Sequence, residues 1–195
     1  LTSDDGADLS NVKLTRGSET LTKSSTFDAN DNTSYVVGTD ADGKSYIQFI
    51  SGDADTLIDT LPAGSYTLTE NTAPLGYITD TAISFTITVS DDGTSYSVDS
   101  DDTRVSGTTA TLTDELTDIT ISKVAAASSS EIEGAVLQVI SAGTTDLTKL
   151  AEVISVNGGA AQLGTLGDGD DYSGKTYVQF TSTDAPTEVK GLPAG

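Results

Sequence analysis

Three segments of this chain set a charged residue on the apolar side of a strand. In SYTLTE (65–70), Glu70 shares parity with Tyr66 and Leu68; in TATLTD (109–114), Asp114 shares it with Ala110 and Leu112. In ITISK (119–123), Lys123 shares it with Ile119 and Ile121. Side chains two apart in a strand lie on one face, so alternation predicts that an amine and two carboxyls point inward. Complete burial moves a lysine pKa toward about 5–6 and a carboxyl pKa toward about 8–9. A neutral amine is a nucleophile, and a protonated carboxyl can polarise a neighbouring carbonyl and relay protons. Held together in a dry pocket, such groups can condense to a side-chain amide, proximity supplying much of the rate. The alternative is that each sits at a strand end, where the face opens and a charge reaches water, as lysine does by snorkelling.

The elements that must position these groups have period two almost throughout. AISFTITV (82–89) sets Phe85, Ile87 and Val89 on one face, and TTATLTD and TDITISK follow the same rule. DDG, ADG, SDDG and NGG mark turns. DLTKLAEV (146–153) is the one stretch expected to form a short helix. The pattern predicts an all-β chain of two sandwiches, end to end.

The two sandwiches are copies of one unit. SYIQFISGDADTLIDTLPAG (45–64) lines up without a gap with TYVQFTSTDAPTEVKGLPAG (176–195), preserving Tyr46, Gln48, Phe49, Ser51, Asp53, Ala54, Thr56 and the whole of LPAG. LTK recurs at 21–23 and 147–149, and DLSNVKL (8–14) resembles EIEGAVL (131–137). The alignment predicts a first domain over 1–116 that lacks its first strand. A second follows over 117–195, cut before its counterpart of SYTLTE. No Pro- or Gly-rich linker marks the join near Leu116–Thr117, which favours a stiff rod.

Composition removes several function classes. There is no Cys, Met, Trp or His, so thiolate chemistry and histidine catalysis have no residues to work with, and a zinc or copper site is not expected. A net charge of −21 repels nucleic acid and anionic lipid, and neither is expected as a partner. No apolar run reaches the length of a membrane span or a signal peptide. The acids cluster at turns, among them Asp28 and Asp31, Asp40 and Asp42, and Asp168, Asp170 and Asp171. Calcium wants six to eight oxygens, and DADG is only a fragment of such a loop; solvated turns are the better expectation, with no metal and no cofactor.

At YTLTENTAPLGY, following LPAG, the chain resembles the E-box segment of Cna B-type domains, the collagen-adhesin repeats and SpaA-like pilin domains of Gram-positive surfaces. ITISKV with EIEGAVLQV resembles that family's opening strands. The resemblance covers nearly the whole chain, twice over. It implies a Greek-key, immunoglobulin-like sandwich, extracellular and anchored to the cell wall through a region outside this chain. It also implies an isopeptide bond from a first-strand Lys to a last-strand Asn or Asp, assisted by the E-box Glu. Carried over, Glu70 takes the proton-relay position of the first domain and Asp114 its acceptor position, with the partner Lys expected just before Leu1. Lys123 takes the nucleophile position of the second, with its partner expected beyond Gly195. Neither triad is complete within the chain, so no bond inside these residues is expected. Lys13, alternating with Val12 and Leu14, should face solvent and is no substitute.

LPAG lacks the Thr-Gly ending of a sorting signal and repeats internally, which reads as the turn before the E-box strand. Lys23 and Lys149, in the repeated LTK, match no intersubunit crosslinking motif convincingly. Tyr46, Tyr66 and Tyr77 could line a sugar platform, but at these alternating positions tyrosine more often packs in a core. The expected function is a structural stalk or backbone repeat of a surface adhesin or pilus-like fibre, not an enzyme beyond single-turnover self-crosslinking. Its partners would be neighbouring tandem domains, with host protein or glycan met at a distal region. The alternative is an adhesin module that binds host protein or glycan through its own loops.

Overall fold

The computed structural model describes residues 1–194 and resolves into two compact units. One comprises 1–70 with 81–112, the other 71–80 with 113–195; Gly195, where the second LPAG ends, lies outside the described residues. The chain is almost entirely β, as the alternation predicts. Its first eight strands are β1 (Thr2–Ser3), β2 (Lys13–Arg16), β3 (Glu19–Thr20), β4 (Thr22–Ser24), β5 (Ser34–Thr39), β6 (Ser45–Phe49), β7 (Thr56–Asp59) and β8 (Gly64–Leu68). After β9 (Tyr77–Ile78), which belongs to the second unit, come β10 (Ile83–Val89), β11 (Tyr96–Asp99), β12 (Val105–Ser106) and β13 (Thr109–Ala110).

In the first unit a seven-stranded sheet runs β11-β10-β8-β1-β6-β5-β4, and a smaller sheet runs β3-β2-β7. Only β4 and β5 pair in parallel among these ladders. Period-two alternation places Leu14, Tyr35, Ile47 and Tyr66 in one buried cluster with Leu9, Val12 and Leu21. Phe85 and Ile87 pack against it, whereas Val89, at the strand's end, is largely exposed. Tyr66 is fully buried, stacks on Phe85 at 5.6 Å between ring centroids, and donates its hydroxyl to Pro62 O at 2.8 Å. Tyr35 donates to Val12 O at 2.8 Å, satisfying the one polar atom that its ring carries inward. Lys13 is exposed between buried Val12 and Leu14.

The second unit is built from β14 (Glu115–Leu116), β15 (Asp118–Ile121), β16 (Val136–Ile140), β17 (Ser155–Val156), β18 (Gly159–Ala160), β19 (Gln162–Thr165), β20 (Thr176–Thr181) and β21 (Thr187–Lys190). Its sheets are β15-β21-β17-β18, β16-β20-β19 and β14-β9. They enclose Leu147, Ile154, Val178, Phe180 and Val189. The stretch expected to be a short helix forms a 3₁₀ turn over Leu147–Leu150, capped by Asp146, whose carboxylate accepts from Thr148 N at 3.1 Å.

The repeated sequence builds a repeated device. In the first unit the ring of Tyr46 lies across Gly38 on the neighbouring strand, and in the second Tyr177 lies across Gly164. A Cβ on either glycine would fall 2.5 Å from the tyrosine hydroxyl oxygen, so each glycine is required by the ring that covers it. Strand pairing is not repeated in the same way. β2 pairs with β7, yet β16, which aligns with β2, pairs with β20, the counterpart of β6. The place beside that strand is held by β1 in one unit and by β16 in the other.

Tyr66→Ala is expected to destabilise the first unit by about 3–5 kcal/mol, the range for emptying an aromatic site in a core. Leu57→Ala, at a position 63% exposed, should stay within about 0.5 kcal/mol of the parent in urea unfolding.

Candidate functional site

The three inward-parity residues all lie just outside regular strand. β8 ends at Leu68, so Thr69 and Glu70 have left the ladder, and Glu70 is half-buried. The segment expected to carry Asp114 on a strand is extended only over Thr109–Ala110, hairpinned with Val105–Ser106. Asp114 follows on an irregular connection and is half-buried. β15 ends at Ile121, and Lys123, two residues on, is also half-buried. Its backbone is fixed by Glu131, whose carboxylate accepts from Lys123 N at 3.0 Å and from the Ser122 hydroxyl.

Glu70 belongs to the first unit, Asp114 and Lys123 to the second. β1 has β6 on one side and β8 on the other. The strand leading to Asp114 is therefore not its neighbour in this structure. Strand ends explain why the parity argument yields half-burial: alternation fixes the side on which a residue lies, while depth depends on where the ladder stops. Ile119 shows the same effect, being 48% exposed despite its inward parity.

A second set of acids, unflagged by parity, organises the strand ends. Asp5 sits between β1 and the LPAG turn. Its carboxylate accepts from Ser65 N at 3.0 Å and from the Ser3 hydroxyl at 3.0 Å. The Ser65 N–H and then the Ser3 hydroxyl hold its pKa below the usual carboxylate range. A Cβ on Gly64 would lie 2.8 Å from that carboxylate, at a φ of 153°, so the glycine of LPAG leaves room for the acid that pins the turn. Asp4 accepts from the Thr67 hydroxyl at 2.8 Å and pairs with Lys44 at 3.5 Å. Arg104 grips Asp102 through Nε at 3.0 Å and Nη2 at 2.6 Å, and donates to the carbonyls of Thr81 and Ala82. Of these, only Asp102 carries a local signal, the Asx-turn spacing of an Asp followed two residues later by a donor, Arg104 N at 2.9 Å; Asp4 and Asp5 meet Thr67 and Ser65, which are distant in sequence.

The same spacing accounts for the clusters at Asp28 and Asp31 and at Asp40 and Asp42, while the Asp168 contact spans five residues. Asp40 accepts from Asp42 N at 3.0 Å and Lys44 N at 2.8 Å; Asp31 accepts from Thr33 N and hydroxyl at 2.9 and 2.7 Å. Asp28 accepts from Asn30 N at 2.9 Å, and Asp168 from the Ser173 hydroxyl at 3.4 Å. Among the described residues no three carboxylates converge as a cation site. Tyr46 and Tyr77 are half-buried rather than displayed on an open platform.

Both units are all-β, with turns pinned by carboxylates. A family model for the SpaA prealbumin-like fold domain matches residues 2–104, and the chain belongs to that family. No curated protein and no solved structure matches it. No helix among the described residues is long and apolar enough to cross a membrane.

The pinned acids predict an acid limb of stability. The Ser90 hydroxyl and Thr94 N–H bring Asp92 down to about 2, and the Arg104 side chain brings Asp102 down to about 2. Both lie below the unfolded value of about 3.9, so the folded state binds fewer protons. Their contribution is complete above that pH and is lost as pH falls through about 2. Urea midpoints should therefore drop between roughly pH 4 and pH 2. Asp102→Asn should flatten that drop. Relief of the general negative charge acts alike on parent and variant, so it cancels in the comparison.

Proposed function

We propose that this chain is a stalk or backbone segment of a bacterial cell-surface adhesin or pilus-like fibre, lying outside the cell and anchored to the wall through other parts of its polypeptide. Membership of the SpaA family carries the proposal. The recurrence of the 45–64 sequence at 176–195 supports it, since arrays of like domains serve as spacers. Tandem domains over 1–116 and 117–195 would transmit tension along the fibre and hold a ligand-binding region away from the wall.

Self-crosslinking is the finer part of the proposal. Lys123 would attack a carboxyl or carboxamide contributed beyond Gly195, and Asp114 would accept a lysine from before Leu1, with Glu70 relaying the proton. The lysine nitrogen forms the amide, and water leaves from Asp or ammonia from Asn. By analogy with a disulfide closing a loop of about 100 residues, such a bond would add about 4.7 kcal/mol through the unfolded state. What supports it is the shared inward parity of the three residues and the half-burial of all three. Against it stands β6, which holds the strand position beside β1. The lysine would therefore have to meet Asp114 from the chain that precedes β1, outside the β6-β1-β8 ladder.

Intact mass of a chain extended until both domains are whole tests this part. The expected result is a deficit of one water or one ammonia per domain, with the first domain's deficit abolished by Glu70→Ala. A mass equal to that of the sequence removes the crosslink. Saturable binding of a host protein or glycan by one isolated complete domain would replace the stalk with the loop-binding module.

A further inference from the structure

The seven-stranded sheet of the first unit ends in an open edge at β11. Ser90 N donates to Ser95 O at 3.0 Å where β10 turns into β11. In an antiparallel ladder bonded pairs alternate with non-bonded ones. With Thr88 opposite Ser97 and Thr86 opposite Asp99, the bonds to β10 fall on Ser97 and Asp99. The N–H and C=O of Tyr96 and Val98 are thereby turned outward. Among the described residues no other strand pairs with this edge.

The two faces of β11 differ in chemistry. Tyr96 is 65% exposed and lies opposite Val89, itself 45% exposed, so the face that continues from the core ends in an uncovered apolar pair. The other face carries Ser97 and Asp99 and borders an open groove of about 910 Å³ to which Asp101 also contributes, together with Asp4 and Asp102, which are paired with Lys44 and Arg104. Natural sheets protect edges with charge. Here that protection has one sign, because the whole chain carries −21. It repels a second copy and attracts a cationic strand.

We propose that β11 is a docking edge for an extended segment of another protein in which apolar and basic residues alternate. Main-chain bonds to Tyr96 and Val98 would add it to the sheet, its apolar side chains covering Tyr96 and Val89 and its lysines or arginines meeting Asp99 and Asp101. This surface is independent of the crosslinking residues and of the stalk assignment.

The test titrates the full chain with a short synthetic peptide of alternating valine and lysine, and with a scrambled peptide of the same composition, following amide hydrogen exchange. The alternating peptide should slow exchange at Tyr96 and Val98 and the scrambled one should not. Val98→Pro removes an outward donor while leaving the β10 bonds in place; it should abolish that protection with the unfolding midpoint little changed. Asp99→Lys, on the exposed face, should weaken binding by roughly tenfold or more. Equal protection by the scrambled peptide, or shifts spread over the acidic surface and untouched by either variant, would mean plain charge attraction and overturn the proposal. So would slowed exchange at β11 that rises with protein concentration in the absence of peptide, since the edge would then be pairing with a second copy.

Discussion

The first unit depends on a two-residue strand. Thr2 and Ser3 lie between β8 and β6 and join what would otherwise be two separate three-stranded halves, β11-β10-β8 and β6-β5-β4. So short a strand holds little by itself, and the surrounding bonds show what fixes it. Leu1 N donates to Ile47 O at 2.9 Å while Ile47 N donates to Leu1 O at 2.8 Å, and Asp4 N donates to Ser65 O at 2.8 Å. Ser3 is fully buried, and its hydroxyl both donates to Asp5 and accepts from Ala7 N at 2.7 Å. Tyr66 on β8 and Ile47 on β6, the strands on either side of β1, carry the sheet's buried face. Remove this strand and both the central ladder and the LPAG turn that Asp5 pins lose their anchor.

Charge imposes the second constraint. Thirty acidic residues face nine basic ones, so most carboxylates cannot be matched by a cation. The chain places them where backbone N–H groups need acceptors: Asp8, Asp28, Asp31, Asp40, Asp92 and Asp146 each close a turn of their own loop. Such acids stiffen loops between short strands without entering the core. A thin core then suffices, because the turns restrict the alternatives each strand can adopt. Stiff loops and an acidic, self-repelling surface fit the stalk role proposed above.

The all-β class was legible from alternation, the core from its phase, and the repeat from LPAG and the Tyr-x-Gln-Phe strand. Tyr66, Ile47 and Leu14 are buried as their parity requires. The depth of Glu70, Asp114 and Lys123 was not legible, because it turns on where β8, β13 and β15 stop, and strand ends are set by tertiary neighbours rather than by pattern. The exchange of partners between β2 and β16 was hidden for the same reason: both alternate correctly, and alternation names a face without naming a neighbour. Asp5 could have been found from its position before a Gly in DDG, but its contact with Gly64 and Ser65 is made 60 residues away.

The proposed stalk role requires that the first unit, joined through β1, resist extension as one unit. Pulled by its ends in a single-molecule force experiment, the first unit is expected to unfold in one cooperative event. Thr2→Pro, which cannot donate to the central ladder, should lower its rupture force well below that of the parent. Stepwise peeling at low force, unaltered by that substitution, would contradict both the central place of β1 and the stalk function built on it.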